Sequence, residues 1–335
     1  MTRSEKARRR TVAAAQLLGV AAAYYLSGRL GLLRRVEAYQ SVVTPLWPPT
    51  GMALGALLQF GGRIWPGIAL GALGTTLSVS GSFSPLGIGI LIGNTLAPVC
   101  AWIALRSVGF REELDRLRDG VALVFLGAFA GMLISATLGT VTLVLTEKLP
   151  PERFWPVWAC WWAGDVMGVL VVTPILLVLR RARWPRVTDR WLEAIGLFIV
   201  ITAASVLATT STLAMLYLVF PVLIWAALRF QLAGSAPCAL LVSVLAVISA
   251  THQAGPFRGH GVLEVMLDLA LLNGSVTLTS LLLSAVVTEQ LVIRREMERA
   301  CVELAELVEE LTPRSAARAR RPSSGERAAI GPEPG

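Results

Sequence analysis

Apolar runs long enough to cross a bilayer follow one another from about Val12 to Val287, separated only by short polar breaks. In water such surface would aggregate; in a bilayer it is the required match to the solvent. The runs predict ten membrane spans, at about 11–28, 42–60, 64–80, 85–105, 120–145, 155–179, 191–209, 212–228, 234–250 and 263–287. The pattern then changes. Val286, Gln290, Ile293, Met297, Ala300, Leu304, Leu307 and Leu311 step by alternating fours and threes, a heptad seam that is apolar except at Gln290. Pro313 is expected to end that helix, and the Arg- and Pro-rich stretch after it has too little apolar content to pack.

The predicted fold class is therefore all-α integral membrane, a polytopic bundle of about ten transmembrane helices followed by a short coiled-coil-like helix. Four parts result: a basic cytoplasmic N-terminus at 1–10, a membrane domain at 11–288, a signalling helix at 289–311 and a disordered tail at 312–335. Membrane lipid is the first partner this implies. A seam exposed in this way suits a homodimer, and an amphipathic helix lying on the bundle is its plainer alternative.

Charge adds orientation. With both termini inside, 24 of the 30 Lys and Arg residues fall on inside segments and 6 outside. That asymmetry places the N- and C-termini in the cytoplasm of a bacterial plasma membrane, with the chain crossing many times. An eight-span version lacking one pair of neighbours keeps the same sidedness. The net charge of +8 is used up by this pattern and gives no ground for nucleic-acid binding. Cys100, Cys160, Cys238 and Cys301 form no metal-ligand or disulfide pattern. No metal, no cofactor and no catalytic set is expected, so the chain reads as not an enzyme.

Two spans carry unusual chemistry. Span two contains Trp47, Pro48, Pro49, Thr50 and Gly51. Two adjacent prolines do not fit a helix interior but suit a helix start. A helix from about Pro49 to Phe60 is too short for a core of roughly 30 Å, so residues 42–48 must enter as extended chain, covered by protein or lining a cavity. Span six places Trp158, Trp161, Trp162 and Asp165 at i, i+3, i+4 and i+7, one helical face. A mid-membrane aspartate must face the bundle interior. An aromatic face ending in a carboxylate suits a pocket for a cationic or hydroxylated ligand. The plainer reading is packing, with Asp165 bonded to Asn94, Thr137 or a backbone amide. Asn94, also near mid-depth, completes the candidate ligand-binding set. Glu264, Asp268, His252 and His260, near the outer surface, read as solvated boundary residues or as a pH-responsive cluster.

The strings LWPPTGMALGALLQFGGRIWPGIALGALGTTL and FWPVWACWWAGDVMGVLVVTP, with GIGILIGNTLAPV between them, resemble a bacterial family, the membrane-associated sensor domains of the first type (MASE one). The resemblance covers about residues 40–290. It implies an integral-membrane sensory domain, usually joined to a histidine kinase, a cyclic-dinucleotide enzyme or a similar output. It points to Trp47, Pro48, Pro49, Gly51, Asn94, Trp161, Trp162, Asp165 and Pro174 as motif positions and names no ligand. No kinase phosphoacceptor histidine or cyclase signature follows the heptad helix in this sequence. The expected function is a signal-transduction module that relays an unknown cue through its last span. The receiver is a separate output protein, kinase or cyclic-dinucleotide enzyme, or a transporter-like partner. The alternative is a small-solute transporter, which would have no use for the helix bearing Ile293, Met297, Ala300, Leu304, Leu307 and Leu311.

Overall fold

The structure, a computed structural model, describes residues 3–33, 35–38, 41–114, 116–181, 190–211 and 215–319. The chain divides into two compact units, Met1–Val287 and Thr288–Gly335.

The first unit opens with α1 (Arg3–Leu32) and a short antiparallel hairpin, β1 (Val36–Ala38) and β2 (Ser41–Val43), in which Val36 pairs with Val43. The helices α2 (Pro48–Phe60), α3 (Trp65–Ser80) and α4 (Pro85–Ser107) follow. Next come α5 (Leu117–Ala122), a π-helical stretch (Leu123–Ala130) and α6 (Leu133–Leu145), which together make one crossing. Then come α7 (Phe154–Arg181), α8 (Trp191–Thr210), α9 (Val219–Thr251) and α10 (Val262–Ala319). Among the described residues, seven helices are long and apolar enough to span a membrane. Each of the ten predicted spans overlaps helix among the described residues. The difference lies in α2 and α3, with 13 and 16 residues, and in α9, where Gln231 (φ 50°, ψ −142°) breaks one 33-residue assignment into two helical halves.

Lipid tails are as apolar as leucine, so close packing of small residues rather than hydrophobic exclusion brings these helices together. Gly67 and Gly71 of α3 meet α1 this way: a Cβ at Gly67 would strike the Leu17 carbonyl, and one at Gly71 would strike Tyr24 and the Ala21 carbonyl. The hub is α7. Its apolar window is 67% buried against 17% for α1, which places it inside the bundle and α1 at the rim. One core joins α7 to α2, α4 and the π stretch through Leu54, Ala97, Leu123 and Val169. A second gathers α8, α9 and α10 around Met167 of α7.

Pro174 of α7 has no N–H for the Leu170 carbonyl, and the Thr277 hydroxyl of α10 reaches that carbonyl at 3.4 Å. In the second unit α10 is helical past Pro313, to Ala319, where the sequence predicts a stop. A proline removes one donor and crowds one preceding turn, and the Ala- and Arg-rich stretch that follows favours helix enough to continue. The rest of the predicted tail, 320–335, lies outside the described residues. Ile293, Met297, Leu304 and Leu307 are exposed, as is Ala300. The Leu311 side chain lies outside the description.

Candidate functional site

The second predicted span enters as extended chain. Residues 44–47 lie along α7, and the Trp47 N–H donates to the Gly164 carbonyl at 3.0 Å. Two α7 glycines and one in α2 make room. A Cβ on Gly164 would strike the Thr44 carbonyl, one on Gly168 the Trp47 carbonyl, and one on Gly51 the Gly168 carbonyl. The two backbones therefore touch without side chains between them. Thr50, fully buried, ties the junction: its hydroxyl lies 2.8 Å from the Trp47 carbonyl and 3.1 Å from the Asp165 carbonyl. One turn further on, Thr173 donates to the Gly51 carbonyl at 3.0 Å. Pro48 and Pro49, at the first turn of α2, pack near Gly31 and Gly28 of α1.

Above this junction lies a cavity of about 390 Å³. Asp165, Asn94 and Thr75 supply its buried polar groups, and Trp47 and Trp161 its aromatic wall. Leu32, Val79, Leu86, Ile90 and Leu143 give it an apolar side, while Lys148, exposed, joins the lining from the loop after α6. Asp165 is 1% exposed, and one carboxylate oxygen accepts the Ser135 hydroxyl of α6. The other oxygen, Oδ1, is buried without a hydrogen-bond partner, as is Asn94 Oδ1. Trp161 edges the same carboxylate without reaching Oδ1 at hydrogen-bond distance.

Of the ten candidate residues, Trp47, Asn94, Trp161 and Asp165 meet at the cavity, and Pro48, Pro49, Thr50 and Gly51 build its floor from behind. The tryptophan face divides. Trp161 lies over Gly139 and lines the cavity. Trp158 and Trp162 stack on each other, 6.3 Å apart and nearly parallel, with their indoles donating to Thr137 Oγ1 and the Phe129 carbonyl. These two rings serve packing between α6 and α7. Ser135, not Asn94 or Thr137, is the bonded partner of Asp165. Ser135 and Thr137 both lie in α6 and both bond to α7, and residue type alone does not tell which hydroxyl meets the carboxylate. Tyr24 of α1 is fully buried, in a core shared with α2 and α3. Glu264 takes a local role, accepting the Gly261 N–H at 2.9 Å at the start of α10, which is one half of a capping box.

A family model described as MASE1 matches residues 16–291. Over 209 residues the chain is 28% identical to the probable diguanylate cyclase DgcE of Escherichia coli (strain K12), a match covering 58% of this chain and 18% of that relative. The chain thus spans less than a fifth of the length of that curated relative. No solved structure matches it.

Proposed function

The chain belongs to the MASE1 family of membrane sensory domains, and from that premise we propose that it receives a small solute in the cavity above Asp165 and passes the event through α7 to α10. The observation that carries this is the double contact of α7. Asp165 faces the cavity. Two residues on, Met167 accepts from the Asn273 amide of α10 at 3.1 Å, and Leu170 accepts from Thr277. Occupancy that rotates or shifts α7 must disturb α10 at those two bonds.

The cytoplasmic stretch of α10 is the transmitting element. Its seam of Ile293, Met297, Ala300, Leu304 and Leu307 pairs with a second copy, and the pair acts on an output protein. The similarity to a probable diguanylate cyclase favours a cyclic-dinucleotide enzyme as that output. In this reading both termini are cytoplasmic, the loops around Ser84 and Lys148 face outward, and the chain itself performs no catalysis.

The test is disulfide crosslinking in membranes, with cysteines placed at 304 and 307, or at 303 and 306, in a chain otherwise free of cysteine. Crosslinks at Leu304 and Leu307 but not at Glu303 and Glu306, with an efficiency altered by Asp165→Asn, are the expected result. Efficiency unchanged by both Asp165→Asn and Asp165→Ala removes the link between cavity and helix. No crosslinks at any position removes the paired helix.

A further inference from the structure

Two buried acceptors that line the cavity have no donor, and that pair points to what it binds. The Thr75 hydroxyl is spent on the Gly71 carbonyl at 2.9 Å, and the Ser80 hydroxyl on the Thr76 and Ser82 carbonyls. Both present only lone pairs to the cavity they line. Asp165 Oδ1 and Asn94 Oδ1 are buried acceptors without donors. Among the described residues lining the cavity, Asp165 is the one acid and Lys148 the one base. Lys148 is exposed in the loop after α6, while Asp165 is buried eleven residues into α7, roughly 16 Å along a helix axis. A carboxylate left unneutralised in a membrane interior is costly, and a cation that donates hydrogen bonds removes that cost.

We propose, resting on the sensory reading above, that the ligand is a small amphipathic solute with a primary ammonium group, of the kind an apolar α-amino acid represents. The ammonium donates to Asp165 Oδ1 and Asn94 Oδ1, with Trp47 and Trp161 beside it in the lining. The apolar side chain lies against Val79, Leu86 and Ile90 of the cavity wall. A quaternary ammonium has no N–H to give the two acceptors and fits poorly. A neutral sugar leaves the carboxylate unneutralised.

The experiment is titration calorimetry on the full chain in nanodiscs with four probes: L-leucine, isoamylamine (no carboxylate), N-acetyl-L-leucine (no ammonium) and glycine betaine (no N–H). L-Leucine and isoamylamine bind, and the other two do not. Asp165→Asn weakens both binders by roughly 10- to 100-fold, the worth of one charge-assisted hydrogen bond. Should Asp165→Asn misfold by size-exclusion and thermal melting, Val79→Trp replaces it. Val79 is 58% exposed on the cavity wall, so the larger ring fills the cavity without touching the floor and abolishes binding.

N-Acetyl-L-leucine binding as tightly as L-leucine, an unchanged affinity in both variants, or no binding of either amine at millimolar concentration overturns the proposal. The crosslinking assay separates this from failure of the sensory reading. If neither amine binds yet Asp165→Asn still alters the Leu304 crosslink, the ligand class is wrong and the sensor stands. If both amines bind yet the crosslink ignores them and the variant, the ligand class stands and the relay fails.

Discussion

Gly168→Ala is the most demanding test of how α2 and α7 meet. The added methyl has no flexible neighbour to displace, because it lands on the Trp47 carbonyl and beside the Thr50 hydroxyl. Helix propensity alone favours alanine over glycine by about 1 kcal/mol. Against that stands overpacking of about 1–3 kcal/mol. The bonds from Trp47 to Gly164 and from Thr50 to Trp47 and Asp165 also lengthen or break, at about 1 kcal/mol each. The expected net destabilisation is therefore roughly 3–5 kcal/mol. Unfolding in mixed micelles titrated with SDS, followed by far-UV circular dichroism, reads it. Gly19→Ala is the control: no atom lies within 4 Å of its added methyl, so it should gain the helix benefit of roughly 0.5–1 kcal/mol. If Gly168→Ala stays within about 0.5 kcal/mol of the parent while Gly19→Ala behaves as expected, the two backbones do not touch and the floor of the cavity is wrongly described.

Three further outcomes are expected. Gln231→Gly should raise the thermal midpoint, because a non-glycine residue at φ 50°, ψ −142° stores on the order of 1–3 kcal/mol that glycine releases; a lowered midpoint argues against a break at that residue. Trp162→Phe should cost about 1–2 kcal/mol in the same SDS titration by orphaning the Phe129 carbonyl and loosening the stack on Trp158, and it should leave calorimetric binding of L-leucine unchanged, since that ring faces away from the cavity. Thr277→Val should cost about 0.5–1 kcal/mol by leaving the Leu170 carbonyl without a donor, and should alter the Leu304 crosslink without altering ligand affinity.

Much of the architecture was legible because the membrane imposes one rule, that every backbone group be satisfied within its own segment. That rule turns apolar runs into helices, and it turned the adjacent prolines at 48 and 49 into an entering extended chain, which the structure shows along α7. Asp165 and Asn94 were legible for a related reason, since polar groups at mid-depth must face inward. What was not legible depended on side-chain pairings. Ser135 and Thr137 both offer α7 a hydroxyl, and residue type does not tell the partner of Asp165 from that of the Trp158 indole. The break at Gln231 falls in the gap between the predicted spans 212–228 and 234–250, so its place was legible, whereas its positive φ, a backbone property, was not. The division of the tryptophan face was hidden as well, because i, i+3, i+4 spacing names a face and not its neighbour. Trp162 turns to Phe129 only because that carbonyl is there.

The glycine-lined junction has a bearing on how such a site is able to diversify. At Gly51, Gly164 and Gly168 every side chain larger than hydrogen meets backbone, so selection has no gradual path for altering the floor. The opposite wall is free of that constraint. Thr76, Val79, Leu86 and Ile90 are partly or fully exposed positions on α3 and α4, where a change of side chain alters the shape and polarity of the cavity without disturbing a carbonyl. Ligand preference should therefore drift along α3 and α4 while the carboxylate end stays put. A receptor divided in this way is able to change what it recognises without rebuilding the part that reports recognition.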